Sequence, residues 1–157
     1  MILLIYLALI SLIFNLFLLF YEIYIFKNAP FLETSDTNIP LETSLTIIIP
    51  TYNEEINIRN CLTALSNIKK PCKNTNIVVI DDCSKDKTFK ESIAIKKQLF
   101  NNSSEISIIS AGPRPNDKNW VGKNWPCYIG ANNVDSDWLL FIDADVVLSK
   151  NCIFNAP

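Results

Sequence analysis

The chain has 157 residues, 49% of them apolar, and a formal net charge of −2. That length allows one domain of ordinary size once any targeting segment is set aside. The charge balance offers no basic surplus for nucleic acid. His is absent, which excludes His-based general-base catalysis, Ser-His-Asp triads and His-ligated zinc within this chain. Acid–base or metal chemistry would fall to carboxylates. The five cysteines, Cys61, Cys72, Cys83, Cys127 and Cys152, are odd in number and contain no C-x-x-C pair. They read as reduced, mostly packing thiols of a cytosolic domain, and not as a disulfide framework or zinc site.

From Ile2 to Tyr21 no residue is charged, and only Ser11 and Asn15 interrupt a run of Leu, Ile, Phe, Tyr and Ala. About twenty such residues suffice to cross a bilayer. A cleaved signal peptide is the competing reading. Against it stand the lack of a basic leading segment, the length of the apolar run, and the lack of a small-residue cleavage site before Lys27. Residues 1–26 are therefore expected to form an uncleaved transmembrane anchor. Glu22 and Lys27 nearly cancel, so charge does not orient it. Residues 27–44 carry Pro30, Pro40 and several Thr, Ser and Asp residues, and read as a linker.

The next stretch, "LTIIIP" from Leu45 to Pro50, is a β-branched run ended by proline and predicts a buried strand. Asn53 is expected to cap a helix with Glu54 and Glu55 in its first turn. Its apolar stripe would be Ile58, Cys61, Leu62, Leu65 and Ile68, with Lys69 and Lys70 in the last turn before Pro71. "NIVVIDDCSKD", Asn76 to Asp86, predicts a second strand ending in two acids, followed by a helix around Phe89, Ile93, Leu99 and Phe100. Glu105–Ser110 predicts a third strand. Trp138–Ile142, five apolar residues without alternation, predicts a fourth, covered on both faces. Strands alternating with helices imply βαβ crossovers and a mainly parallel sheet sandwiched by helices.

In such sheets ligands bind outside the carboxyl ends of the strands. Polar clusters follow the first strand (Thr51, Tyr52, Asn53, Glu54), the second (Asp81, Asp82) and the fourth (Asp143, Asp145). Two carboxylates spaced by one residue on an extended chain point to the same side and repel each other unless a cation is shared. Two readings of Asp143-Ala144-Asp145 stand: a solvated turn after a strand, or part of an acidic rim that receives a cation and a hydroxyl-bearing ligand. A dinucleotide fold of the G-x-G-x-x-G type is disfavoured, because the three glycines, Gly112, Gly122 and Gly130, lie far from the first strand.

"TIIIPTYNE", "VVIDDCSKDKT" and "LLFIDADV", in that order and at these separations, resemble the nucleotide-binding half of inverting family 2 glycosyltransferases, which have the GT-A fold. The resemblance covers about residues 45–155. It implies that residues 45–157 form the N-terminal nucleotide-sugar-binding part of a GT-A domain. It further implies that Tyr52 and Glu54, beside Pro50, lie against the base and ribose of a nucleotide diphosphate sugar. Asp82 would hydrogen-bond the base, Asp143 would lie by the ribose and sugar, and Asp145 would ligate a divalent Mg²⁺ or Mn²⁺. Such a hard, oxygen-ligated cation neutralises paired acids and grips a diphosphate, and it stabilises the charge on a departing leaving group. "RPNDKNWVGKNWPCYIGANN", Arg114 to Asn133, resembles the family's segment between the third and fourth strands. There Lys123 is either a cationic partner for the phosphates or an exposed loop lysine.

Trp120 and Trp125, flanking Gly122-Lys123, resemble the subgroup associated with hopanoid and carotenoid glycosylation, whose acceptors are membrane lipids. Their alternative role is packing. The expected acceptor is a membrane lipid or glycan, and the expected placement is a single-pass anchor with the donor-binding domain in the cytosol. Family members continue beyond the Asp-x-Asp strand into an acceptor-binding half that supplies a usually acidic base. Twelve residues follow Asp145 here and none is acidic, so no catalytic base is assigned and the GT-A fold is expected to be incomplete. The alternative is a non-catalytic nucleotide-sugar-binding subunit that needs a partner chain.

Overall fold

The computed structural model describes residues 2–29, 41–101, 103–116 and 119–154. The chain divides into two compact units, residues 1–33 and 34–157. In the first, α1 runs from Ile2 to Asn28 over 27 residues, slightly longer than the predicted anchor. At 1.5 Å per residue that is about 40 Å, more than a hydrocarbon core of ~30 Å. It is long and apolar enough to cross a membrane. Its interior polar side chain turns inward on the helix: Asn15 Nδ2 donates to the Ser11 carbonyl at 2.7 Å.

The second unit is built on four parallel strands in the order β3-β2-β1-β4, where β1 is Leu41–Thr51, β2 Cys72–Asp81, β3 Ile106–Ser110 and β4 Trp138–Phe141. Helices α2 (Ile58–Ser66), α3 (Thr88–Leu99) and α4 (Asn124–Asn132) make the crossovers. Side chains alternate across each strand. Ile47, Ile49, Ile77 and Val79 therefore face one layer with Ile58, Leu62 and Ile95, while Ile48, Val78 and Ile80 face the other with Trp125. Both central strands are thus buried on both faces, as their unbroken β-branched runs predict. Gly130 lets α4 press on the sheet: a Cβ there would stand 2.6 Å from Ile48 Cγ2.

Several expectations need correction. β1 begins at Leu41, inside the predicted linker, whose residues 30–40 lie outside the described residues. β4 is not covered on both faces, since Trp138, Leu139 and Phe141 are 63%, 40% and 46% exposed. It pairs only with β1 among the described residues, and burial of an edge strand requires neighbours that a local run of apolar residues does not supply. α2 starts at Ile58 and not at Asn53, which adopts φ +57° and leaves the helical region. The helix ends at Ser66, so Lys69 and Lys70 lie beyond its last turn. On α3 the buried positions are Thr88, Ser92 and Ile95; Phe89 and Ile93 face outward.

Candidate functional site

The carboxyl ends of β1 and β2 lie side by side, with Thr51 paired to Asp81 and the Asp82 amide donating to the Thr51 carbonyl at 2.9 Å. This places the loop after β1, carrying Tyr52 and Glu54, against the loop after β2, carrying Asp82. The segment after β3 folds over them through Arg114, and the start of α4 brings Lys123. Together Pro50, Tyr52, Glu54, Asp82, Arg114 and Lys123 line a cleft of about 350 Å³. A second hollow of about 320 Å³, also lined by Tyr52, Asp82 and Arg114, extends towards Cys83 and Lys85.

Asp82 is buried, and a buried carboxylate needs a partner. It has one in Arg114, whose Nη2 donates to Asp82 Oδ2 and, at 2.9 Å, to the Gly122 carbonyl. The same guanidinium reaches the Trp120 carbonyl at 3.5 Å. One planar fork thus ties the acid at the end of β2 to the loop before α4. The left-handed backbone of Gly122, φ +55°, turns that loop back towards the cleft.

Asp143 is paired with Lys123, Oδ1 to Nζ at 2.7 Å. That hydrogen bond raises the Lys123 ammonium above its usual range; partial burial opposes the rise, and the charges of Asp143, Asp145 and Glu54 add to it. Asp143 and Asp145 therefore do not form a bare pair of repelling acids: a lysine neutralises the first. Below them Cys61 is fully buried, and its Sγ reaches the Asp143 carbonyl at 4.0 Å. Burial, then the negative charges of Asp145 and Glu54, push the Cys61 thiol up to about 12. Asp145 is exposed, and no side-chain hydrogen bond or ion pair holds it among the described residues.

No group of three or more His, Cys, Asp or Glu side chains arranged around a metal occurs among the described residues. A Mg²⁺-like ion keeps most of its waters and needs only one or two carboxylates plus phosphate oxygens. Of the two acids, Asp145 has the unengaged carboxylate.

Of the residues singled out from sequence, Pro50, Tyr52, Glu54, Asp82 and Lys123 converge on one cleft, and Asp143 joins them through Lys123. Trp120 and Trp125 pack with Tyr128, ring centroids 4.9–5.9 Å apart, and the Trp125 indole donates to the Gly112 carbonyl at 3.1 Å. Trp125 is buried, so of the two roles weighed for it the structure shows packing. The sequence motifs do not single out Arg114 as a site residue; the signal for it is its place just beyond the carboxyl end of β3.

The model of glycosyl transferase family 2 matches residues 46–155, and the chain belongs to that family. Among its relatives is 4,4'-diaponeurosporenoate glycosyltransferase of Staphylococcus haemolyticus, 31% identical over 129 residues that make up 81% of this chain and 31% of the relative. Poly(ribitol-phosphate) beta-N-acetylglucosaminyltransferase TarS of Staphylococcus aureus is 29% identical over 110 residues, 70% of this chain and 18% of TarS. This chain thus spans a third or less of the length of these relatives. The crystal structure of S. aureus TarS in complex with UDP superposes with a TM-score of 0.52 at 26% identity, covering 68% of this chain and 29% of that one. The mannosyltransferase PcManGT of Pyrobaculum calidifontis, in complex with GDP-Man and Mn²⁺, gives 0.64 at 18% identity over 88% of this chain and 38% of that one, a likeness of fold. The sheet and its helices are accordingly the incomplete GT-A arrangement that the sequence motifs imply.

Proposed function

We propose that this chain carries the donor-binding part of a membrane-anchored, metal-dependent glycosyltransferase. The observation that carries the reading is the convergence of Tyr52, Glu54, Asp82, Arg114 and Lys123 on one cleft at the carboxyl edge of a parallel sheet. Half-exposed Tyr52 offers a ring for a base to lie against, and Asp82, fixed by Arg114, offers a carboxylate oxygen to a base N–H. Glu54, which lines the same cleft, would accept hydrogen bonds from ribose hydroxyls. Lys123, released from Asp143 towards a phosphate, supplies positive charge. A UDP complex of a relative with this fold at 26% identity supports a nucleoside diphosphate as the ligand. A Mg²⁺ or Mn²⁺ bound through Asp145 would offset the charge gathering on a departing diphosphate.

For the acceptor, the apolar helix α1 and a relative named for 4,4'-diaponeurosporenoate favour a membrane lipid over a soluble glycan. Nucleotide sugars are made in the cytosol, so residues 45–157 are assigned to that side, with α1 crossing so that its N-terminus lies outside. Protease added to intact cells tests the orientation: residues 45–157 should be shielded, and their cleavage in unbroken cells would reverse it. Calorimetry on the purified chain tests donor binding. UDP should bind with Mn²⁺ and about tenfold or more weakly without it, as loss of a charge-assisted contact implies. Asp145→Asn should bind equally weakly with or without Mn²⁺. Wild-type affinity of Asp145→Asn in Mn²⁺ would remove Asp145 as the ligand.

A further inference from the structure

The loops carrying Tyr52 and Asp82 are joined by reciprocal hydrogen bonds that do not involve either of those side chains. The Glu54 amide donates to Thr88 Oγ1 at 2.7 Å, and Thr88 Oγ1 donates its own proton to Asp86 Oδ1 at 2.5 Å. The Thr88 amide donates to the same oxygen at 2.9 Å, while Asp86 Oδ2 accepts the Glu55 amide at 3.2 Å. In the other direction the Lys87 amide donates to Glu55 Oε2 at 2.9 Å and the Lys85 amide to Asn53 Oδ1 at 2.8 Å.

The direction of this relay is fixed by chemistry. An ionised carboxylate only accepts, so the single proton of the Thr88 hydroxyl must go to Asp86, which leaves the hydroxyl's lone pairs to the Glu54 N–H. Partial burial works against ionisation of Asp86, but the bonds from Thr88 and Glu55 outweigh it and hold the carboxyl below its usual range. Thr88 is fully buried, so water cannot replace it as an acceptor. Both loops also hold a non-glycine residue in the left-handed region, Asn53 at φ +57° and Cys83 at +58°, a conformation that surrounding contacts must maintain.

We infer that Thr88 and Asp86 are positioning residues for the donor cleft: they latch the backbone of Glu54 and Glu55, and so set where Tyr52 and Glu54 stand relative to Asp82. The inference rests on the donor-binding reading and adds to it two residues that touch no ligand. It implies that Thr88 acts chiefly through Tyr52, so that losing both costs little more than losing Tyr52 alone.

The test uses the whole chain in detergent with Thr88→Val, Thr88→Ser, Tyr52→Ala and the Thr88→Val/Tyr52→Ala pair. Amide hydrogen exchange, UDP affinity in Mn²⁺ and thermal unfolding are measured on each. Thr88→Val should speed exchange of the Glu54 amide about tenfold or more and weaken UDP binding about tenfold, the scale of a buried donor left unpaired. Thr88→Ser, which keeps the hydroxyl, should restore both. In the Tyr52→Ala background Thr88→Val should weaken UDP little further. A Glu54 amide as protected in Thr88→Val as in wild type, or UDP losses that add in full, would overturn the inference. Wild-type chain that binds no UDP would instead defeat the donor-binding reading, and the exchange rates would still decide the latch. Should Thr88→Val not fold, Asp86→Asn replaces it, with faster exchange at the Glu55 amide expected and unchanged exchange overturning the latch.

Discussion

Arg114 holds Asp82 and Lys123 holds Asp143 in different ways, and the difference predicts how each responds to substitution. Arg114 spends a planar fork on Asp82 and two carbonyls, whereas Lys123 makes a single point contact with Asp143. Arg114→Lys keeps the charge but cannot span those acceptors. It should weaken UDP binding about tenfold with Mn²⁺ present or absent, because it leaves a buried carboxylate poorly paired; calorimetry in both conditions reads this out. Cys61 gives a pH prediction. Its thiol is pushed up to about 12 in the folded chain, against about 8.5 for a free thiol, so the folded state holds the extra proton between those values. Stability contributed by Cys61 is whole below about pH 8.5 and falls as pH rises towards 12. Thermal unfolding of Cys61→Ala should show a shallower alkaline decline than wild type, from a lower starting point. None of this chemistry at Cys61 is visible locally. A cysteine in an apolar helical stripe announces burial, but of the two acids whose charge acts on it, Asp145 and Glu54, the first comes from the far end of the sheet sequence.

Two elements carry their own tests. α4 approaches β1 only because Gly130 lacks a side chain, and the atom it would meet belongs to Ile48, which is fully buried and has no room to retreat. Gly130→Ala should therefore cost about 1–3 kcal/mol, the usual penalty of overpacking a core, despite alanine's better helix propensity; denaturant titration measures it. At the start of α3, Asp86 is held below the usual carboxylate range, so its contribution to stability is present above about pH 4 and disappears as acid protonates it. The gap in melting temperature between wild type and Asp86→Asn should close as pH falls below about 4.

The strands were legible because β-branched runs leave little choice of conformation: Leu45–Pro50 and the apolar core of β2 lie where expected. Helix starts were less so. Asn is both a good cap and a frequent left-handed residue, and at Asn53 the cross-loop bond to Lys85 decides for the second. The exposure of β4 was not legible at all. An apolar run reports what could be buried, and what lies beside it is a property of the sheet.

At the scale of the chain, two apolar features stand out: α1, exposed along its length, and the edge strand β4, whose Trp138 and Phe141 are exposed on its opposite faces. If α1 is the anchor, removing residues 1–28 should shift residues 29–157 from the alkaline-carbonate-resistant membrane fraction to the supernatant. Exposed sheet edges with large apolar side chains associate, so that released domain should still self-associate. Phe141→Lys should reduce light scattering without lowering the melting temperature.

The strand order β3-β2-β1-β4 has a consequence for how the molecule is made. β1 lies between a partner it meets soon after synthesis and one that emerges far later: Ser44 waits 93 residues for Asp137, which its amide and hydroxyl both engage. As the ribosome delivers the chain, β1, β2 and β3 can assemble with α2 and α3 while one edge of β1 is still unclaimed. The ends of β1 and β2, with Tyr52, Asp82 and the Thr88 latch, are built in that interval. Arg114 and Lys123 come next, and Asp143 and Asp145 arrive with the last strand. Closing so long a loop is slow, so the nascent chain carries the half of the cleft built by β1 and β2 before the half that arrives with α4 and β4.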